Sequence, residues 1–304
     1  MSEPDLPQRV PGNEHYCLSA PHTSPFPEDP SLKTSILISL AALAWTAIGS
    51  EPVAAQTLRY GAEAGTTHTY VRTQRDHVTQ TINGAEQTAD VNSYWRFDAT
   101  MNDSEGGRSV EIVHDSLSIQ STPQADSDFS ALYGQPVTVM MDERGAVTEV
   151  LLPDSIPPAA ARLDLGMTYR GFYPVLPAEP VSEGGGWTDT MNLRTNQNGL
   201  DMTIQRINHY TARGNAQYAG HTALQVDFTS EVAIEGSGSQ QGADISLSGT
   251  GTGNGSFYFL ADPGVYLGGT ETGEMKMDAF VVAGGQNLVI PIVQQREETI
   301  ELVD

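Results

Sequence analysis

From Gln56 onward, apolar and polar residues alternate with a period of two, and Gly, Asn and Asp punctuate the runs. β-Branched and aromatic residues fill many of the apolar positions, so the pattern predicts strands rather than helices. Thr67–Thr81 and Thr88–Met101 flank Asn83-Gly84, the strongest short signal for a two-residue hairpin. In the second run Trp95, Phe97, Ala99 and Met101 share one face, and Tyr94, Arg96, Asp98 and Thr100 share the other. One buried and one wet face is the signature of an antiparallel sheet. Beyond the turn Asn102–Gly107, a strand is predicted over Arg108–Gln120. A further hairpin joins Val137–Met141 to Ala146–Leu152 across Asp142–Gly145. Later strands are predicted over Trp187–Thr195, Leu200–Arg213, Thr222–Gly236, Ala243–Thr252, Ser256–Ala261, Val265–Asp278 and Leu288–Val303, with Asp262-Pro263-Gly264 as a turn.

The alternation lapses in the middle. Ser127–Tyr133, closed by Gly134, reads as a short helix with a serine cap and a glycine stop. Ser155–Leu163 reads as another, with Pro157 and Pro158 in its first turn. Tyr173–Pro180 must be extended, because proline excludes both helix and ladder pairing. The domain reading is a first β-rich half over residues 56–152, a helical and proline-rich connector over 153–186, and a second β-rich half over 187–304. The halves share a loose layout, so they are candidates for a structural repeat. The expected class is all-β, with one or two short helices in the middle. Its strands exceed the usual ~5–6 residues, which suits curved sheets of half-barrel or sandwich type that can enclose an apolar cavity.

The longest apolar run, Ile36–Gly49, is about 14 residues and is broken by Ser39 and Thr46. A membrane span needs ~20 apolar residues, whereas a signal-peptide core needs ~7–15. Lys33 supplies the positive start, Pro52 ends the run, and Val53-Ala54-Ala55 places small residues where a signal peptidase reads. Residues 32–55 are therefore expected to be a signal peptide cleaved between Ala55 and Gln56, with an uncleaved anchor as the alternative. Export to the periplasm or the outer envelope follows. Residues 1–31 hold seven prolines and a net charge of −4, a composition that predicts disorder. Initiation at Leu32, read as Met, would give a compact signal peptide and make residues 1–31 a start-site artefact.

Charge narrows the partners. The 304-residue chain has a formal net charge of −23 and a sequence pI near 4.4. Phosphate backbones and anionic lipid surfaces both need a basic face, so nucleic acid is excluded as a partner. The single cysteine, Cys17, precedes the apolar run. After cleavage no disulfide, thiolate metal site or lipid-modified cysteine would remain.

The search for chemistry yields no catalytic residue, no metal ligand set and no cofactor. No Gly-x-Ser-x-Gly elbow and no Cys-His arrangement occurs; Gly236-Ser237-Gly238-Ser239 lacks a following helix signal. His68, His77, His114, His209 and His221 show no ligand spacing and read as surface histidines, with His68 and Asp76 on polar strand faces. Asn102–Glu105 and Asp126–Asp128 are acidic turns first and calcium candidates second. Gly249-Thr250-Gly251-Thr252-Gly253-Asn254-Gly255-Ser256 lacks the helix and lysine of a phosphate loop. Glycine at every second position instead predicts a strand face pressed under a large side chain or a ligand, or a face left bare. Met140, Met141, Met167, Met191, Met202, Met275 and Met277 read as core filling before pocket lining.

Leu176–Val181 followed by Gly184-Gly185-Gly186-Trp187-Thr188 resembles the mid-chain motif of an uncharacterised family of secreted bacterial β-rich proteins. The later order of glycine-rich strand, Phe257-Tyr258-Phe259, Pro263-Gly264 turn and final strand to Leu302-Val303 resembles that family too. The resemblance implies an exported β protein and carries over no catalytic residue. More distantly, the layout is similar to envelope lipoprotein carriers, whose curved sheet covers an apolar groove. Many of those have a lipid-modified cysteine that this chain lacks. The leading expectation is a non-enzymatic envelope protein that binds an apolar small molecule or a lipid. A scaffold with an envelope protein partner and an unrecognised hydrolase are the alternatives, and the oligomeric state stays open.

Overall fold

The computed structural model describes residues 55–122, 128–156, 160, 163–197, 199–240 and 242–303. Residues 1–54, which include Cys17 and nearly all of the expected signal peptide, lie outside the described residues. So do Asp126 and Ser127 of the second acidic turn, and most of the helix expected over Ser155–Leu163.

Eleven antiparallel strands form one curled sheet, a half-barrel. In chain order they are β1 (Thr66–Ile82), β2 (Ala85–Ser104), β3 (Gly107–Ser121), β4 (Pro136–Met141) and β5 (Val147–Leu151). After a helix α1 (Leu165–Arg170) come β6 (Gly186–Gln197), β7 (Leu200–Tyr218), β8 (His221–Gln240), β9 (Ala243–Leu260), β10 (Val265–Ala283) and β11 (Gln286–Leu302). The spatial order is β5-β4-β3-β2-β1-β11-β10-β9-β8-β7-β6. Each strand is followed by its neighbour except β5, whose connection to β6 joins the sheet's two open edges. The two halves of the chain thus share a single sheet, and its first and last strands meet in the middle.

The hairpin signals land where the alternation put them. Asn83 and Gly84 both take positive φ, 52° and 78°, and close β1 onto β2 with Ile82 opposite Ala85. Several strands are longer than the sequence pattern suggests. β9 runs straight through the glycine-rich stretch, and β10 and β11 extend to a Gly284-Gly285 turn. Around the connector, Ser130–Leu132 forms a single 3-10 turn in place of the longer helix expected there. α1 begins at Leu165, with the Asp164 side chain accepting from the Met167 N–H at 3.0 Å as its N-cap.

The connector fills one end of the half-barrel. Tyr169, Phe172 and Tyr173 leave α1 and its C-terminus and pack against Tyr70, Phe97 and Tyr266 from the sheet, all nearly inaccessible to solvent. Their rings meet edge-on, Phe172 lying 5.2 Å from Phe97 and 4.8 Å from Tyr173, the geometry aromatic quadrupoles favour. Backbone groups tie the connector down. Tyr60 Oη donates to the Pro174 carbonyl at 2.8 Å, and Arg59 donates to the Pro177 and Ala178 carbonyls at 2.9 and 2.8 Å. Trp187 Nε1 donates to the Val175 carbonyl at 2.8 Å, and its ring stacks on Tyr210 at 5.0 Å. Gln56, the residue expected to follow the cleavage site, pairs its backbone with Val181 at 2.8 and 2.9 Å, while Ala55 is exposed.

Candidate functional site

The strand registers sort the concave face into rows. The row through Tyr70 and Phe97 belongs to the aromatic plug. Two residues further along β1, Arg72 lies beside Trp95 and Ile300. The next two rows turn polar. Gln74 aligns with Glu298 and Glu271, and Asp76 with Arg296, while Ser230, Asn208 and Asp189 continue that second row across β8, β7 and β6. Beyond this girdle the face turns apolar in stages: Met191, Val232 and Met275 share a row with Arg206 and Gln294, and Leu193, Ile204, Ile234 and Met277 form the next. Above the plug lies a cavity of about 530 Å³, lined by the girdle on one side and by this methionine and isoleucine wall on the other. Leu163, Met167 and Thr168 of the α1 segment also line it. Its volume falls within the ~300–1,000 Å³ range of small-molecule sites.

The girdle is internally paired. Arg72 reaches Glu298 at 2.6 Å, Arg206 reaches Glu271 at 2.7 Å and Arg296 reaches Asp76 at 2.8 Å. Asp76 also accepts from Gln294 Nε2 at 2.8 Å and from Gln74 Nε2. Arg72 lies over the Trp95 ring, 5.6 Å from its centroid, a cation–π contact. Burial raises the Asp189 carboxyl above its ordinary range, with the Thr190 N–H and the Arg144 charge pulling it partly back. Two polar atoms facing this region are buried without a partner, Ser230 Oγ and Arg72 Nε.

The glycine run forms the floor. Gly249, Gly251, Gly253 and Gly255 all face inward from β9. A Cβ on Gly255 would stand 2.8 Å from the Phe228 ring and closer still to the Thr270 carbonyl. One on Gly253 would stand 2.7 Å from Ser230 Oγ. The expectation of a strand face covered by a large side chain holds at Gly255, where the Phe228 ring supplies the cover.

Three sequence readings need correction. Asp76 is not on a wet face: it is 8% exposed and lies inside the groove, where Gln74, Gln294 and Arg296 satisfy it. His114 is not a surface histidine but 1% exposed. An extra residue in β3 opposite Arg96/Phe97 shifts the alternation, so His114 and Leu117 both point inward. The methionines divide as well. Met141 is core, whereas Met167, Met191, Met202, Met275 and Met277 line the open cavity.

Three other histidines sit near the surface: His77 is exposed and pairs with Asp90 at 2.7 Å, His209 meets Thr188 Oγ1 at 3.2 Å, and His221 is exposed, whereas His68, opposite Ala99, is half-buried with its Nε2 inaccessible. Of the acidic turns, Asp103 pairs with Arg108, and Asp128 Oδ1 accepts from the Ser130 N–H at 2.9 Å. Among the described residues no group of three or more His, Cys, Asp and Glu stands ready to hold a metal ion.

Sequence reasoning missed the girdle because polar residues occupy both strand faces there. A usable signal exists in β11, where Gln294-Gln295-Arg296-Glu297-Glu298-Thr299 is six consecutive polar residues within a strand.

No protein-family model matches the chain, and no curated protein matches it in sequence. Among solved structures it is similar to Neisserial surface protein A, with 6% identity, 78% of this chain and 99% of that one covered, and a TM-score of 0.21. It is also similar to OccK2 (OpdF) of Pseudomonas aeruginosa, with 7% identity, 78% and 98% covered, and a TM-score of 0.19. OccK9 (OpdG) of the same organism gives 8% identity, 79% and 100% covered, and a TM-score of 0.21. These neighbours are outer-membrane β-barrel proteins. At such TM-scores neither location nor function follows from the likeness. Among the described residues no helix is long and apolar enough to cross a membrane.

Proposed function

We propose that this protein is an exported, non-enzymatic envelope protein whose half-barrel holds an amphipathic ligand in its concave groove. The observation that carries this reading is the pairing of two surfaces around one cavity of about 530 Å³. A wall of Met191, Met202, Met275, Met277, Ile204 and Ile234 suits an acyl chain, since methionine adapts to irregular apolar shapes. The ionic girdle at its base suits a polar head. Neither surface is filled by the protein's own core, which ends at the aromatic plug.

The ionic girdle also favours a second reading, a hydrolase, because convergent carboxylates are the raw material of acid–base catalysis. Asp76, Glu271 and Glu298 are each engaged by an arginine, an arrangement that favours holding a head over transferring a proton. Asp189, raised by burial, is the residue on which a hydrolase would depend.

Native mass spectrometry of the protein purified from its own cell envelope tests the carrier reading. The expected result is a co-purified amphiphile of lipid mass, lost when Met275 and Ile234 are both replaced by Asp. A clean apo mass with no uptake on titration would sink the reading and leave an interaction protein. The exposed Phe280, Val282 and Val289 on the outer face of the β10–β11 hairpin would then be its contact surface. Steady turnover of ester or glycoside substrates, abolished by Asp189→Asn, would establish the hydrolase instead.

A further inference from the structure

The charge balance of the girdle bears on which head the groove accepts, a question that rests on the carrier reading. Each of Arg72, Arg206 and Arg296 is already matched by a carboxylate from another strand, at 2.6, 2.7 and 2.8 Å. Asp189, in the same row as Asp76 and Ser230, lines a neighbouring pocket together with Arg170. Among the described residues the arginines that line this cavity are all paired, so an anionic head in it would have to break an existing pair to gain a cation. Doing so would leave a carboxylate uncompensated in a largely buried site, which is strongly unfavourable.

What the girdle does leave unmatched is hydrogen-bonding capacity without charge to spare. Ser230 is 2% exposed, faces the cavity, and its Oγ has no partner. Across from it, Gly253 has no side chain to cover that oxygen, whereas a Cβ there would come within 2.7 Å of it. Arg72 Nε is the second buried donor without a partner, on the wall formed by Trp95. Buried donors without partners favour a ligand that brings acceptor oxygens.

We propose that the girdle is a head-group site for an uncharged, hydroxyl- or ester-bearing amphiphile of the monoacylglycerol kind, hydrogen-bonded by Ser230, and that it discriminates against fatty-acid anions. The apolar wall takes either molecule's chain, so the selection is made at the head.

The test loads the purified protein with the neutral dye N-phenyl-1-naphthylamine at pH 8 and displaces it with 1-monooleoylglycerol or with oleate, each below its aggregation threshold. The acyl chains are identical, so only the head differs. The neutral lipid is expected to displace the dye at a concentration at least about tenfold lower, the scale of a charge left unmatched in a partly buried site. Ser230→Ala should raise the half-displacement concentration of the neutral lipid about five- to tenfold and leave oleate nearly unchanged. Glu271→Gln frees Arg206 and should improve oleate about tenfold. Should Glu271→Gln disturb the fold, Glu298→Gln makes the same change of charge beside Arg72. Oleate binding as tightly as the neutral lipid in the unmodified protein overturns the inference, as does a Ser230→Ala variant with unaltered preference. Dye uptake with no difference between heads overturns this inference alone. No uptake of dye or lipid overturns the carrier reading and this inference with it.

Discussion

The hydroxyl of Tyr169 lies 2.6 Å from Nε2 of His114, inside the aromatic plug. With the phenol donating, the imidazole is neutral and carries its proton on Nδ1, which is buried without a partner. Burial pushes His114 down from 6.5 to about 4. The unfolded chain therefore takes up this proton first as pH falls. The stability held by neutral His114 is complete above pH 6.5, drains away between 6.5 and 4, and amounts to about 3 kcal/mol in all. Urea midpoints measured from pH 7.5 to 4 should fall more steeply for the unmodified protein than for His114→Gln. Parallel slopes would show that His114 does not titrate as described.

Asp164 joins the connector to the sheet edge. One carboxylate oxygen caps α1 by accepting from the Met167 N–H at 3.0 Å, and the other accepts from Thr195 Oγ1 of β6. Asp164→Ala should cost about 1–2 kcal/mol through the lost cap and tether together. Thr195→Ala should cost about 0.5–1.5 kcal/mol, because the cap survives. The double variant should be no worse than Asp164→Ala by more than a few tenths. Full additivity in chemical denaturation would show that the two side chains are not coupled.

Asp76 is the hub of the girdle, accepting from Gln74, Gln294 and Arg296. Asp76→Ala leaves three donors without their acceptor. A loss of about 2–3 kcal/mol is expected, moderated because the Arg296 side chain keeps 44% of its exposure. Asp76→Asn keeps an acceptor and should cost less than half as much. Equal losses in the two variants would mean that shape, not hydrogen bonding, holds the hub.

Gly255 has space on neither side. A methyl group there would meet the Phe228 ring at 2.8 Å and press against the Thr270 carbonyl. Gly255→Ala should destabilise by about 1–3 kcal/mol through overpacking, and Phe228→Leu should recover part of that loss. A neutral Gly255→Ala would show that β9 can shift away from β10.

Much of the fold follows from elementary patterning. Trp95, Phe97, Ala99 and Met101 alternate inward as their spacing requires, and Asn83-Gly84 makes the turn its two positive φ angles demand. The site is less legible for a physical reason. A groove open to water and to a ligand holds polar residues on its inner face, so Gln74 and Asp76 look like the outer face of an ordinary strand. His114 was hidden differently, by one extra residue in β3 that shifts the alternation between it and Leu117. Nor does any local pattern reveal that β1 pairs with β11, since Tyr70 and Leu302 are brought together only by the whole sheet.

That central pairing has a consequence for how the molecule comes into being. Eleven residue pairs, from Tyr70↔Leu302 to Gln80↔Ile292, zip the first strand to the last. While the chain is being synthesised, one side of β1 stays without its partner until β11 exists. Hairpins can form early, each on its own, but the ladder that unites them must wait for β11, and such long-range closure is slow. Until β11 pairs with β1, the strands on either side of that seam are two separate sets of hairpins, and one pairing turns them into a single sheet.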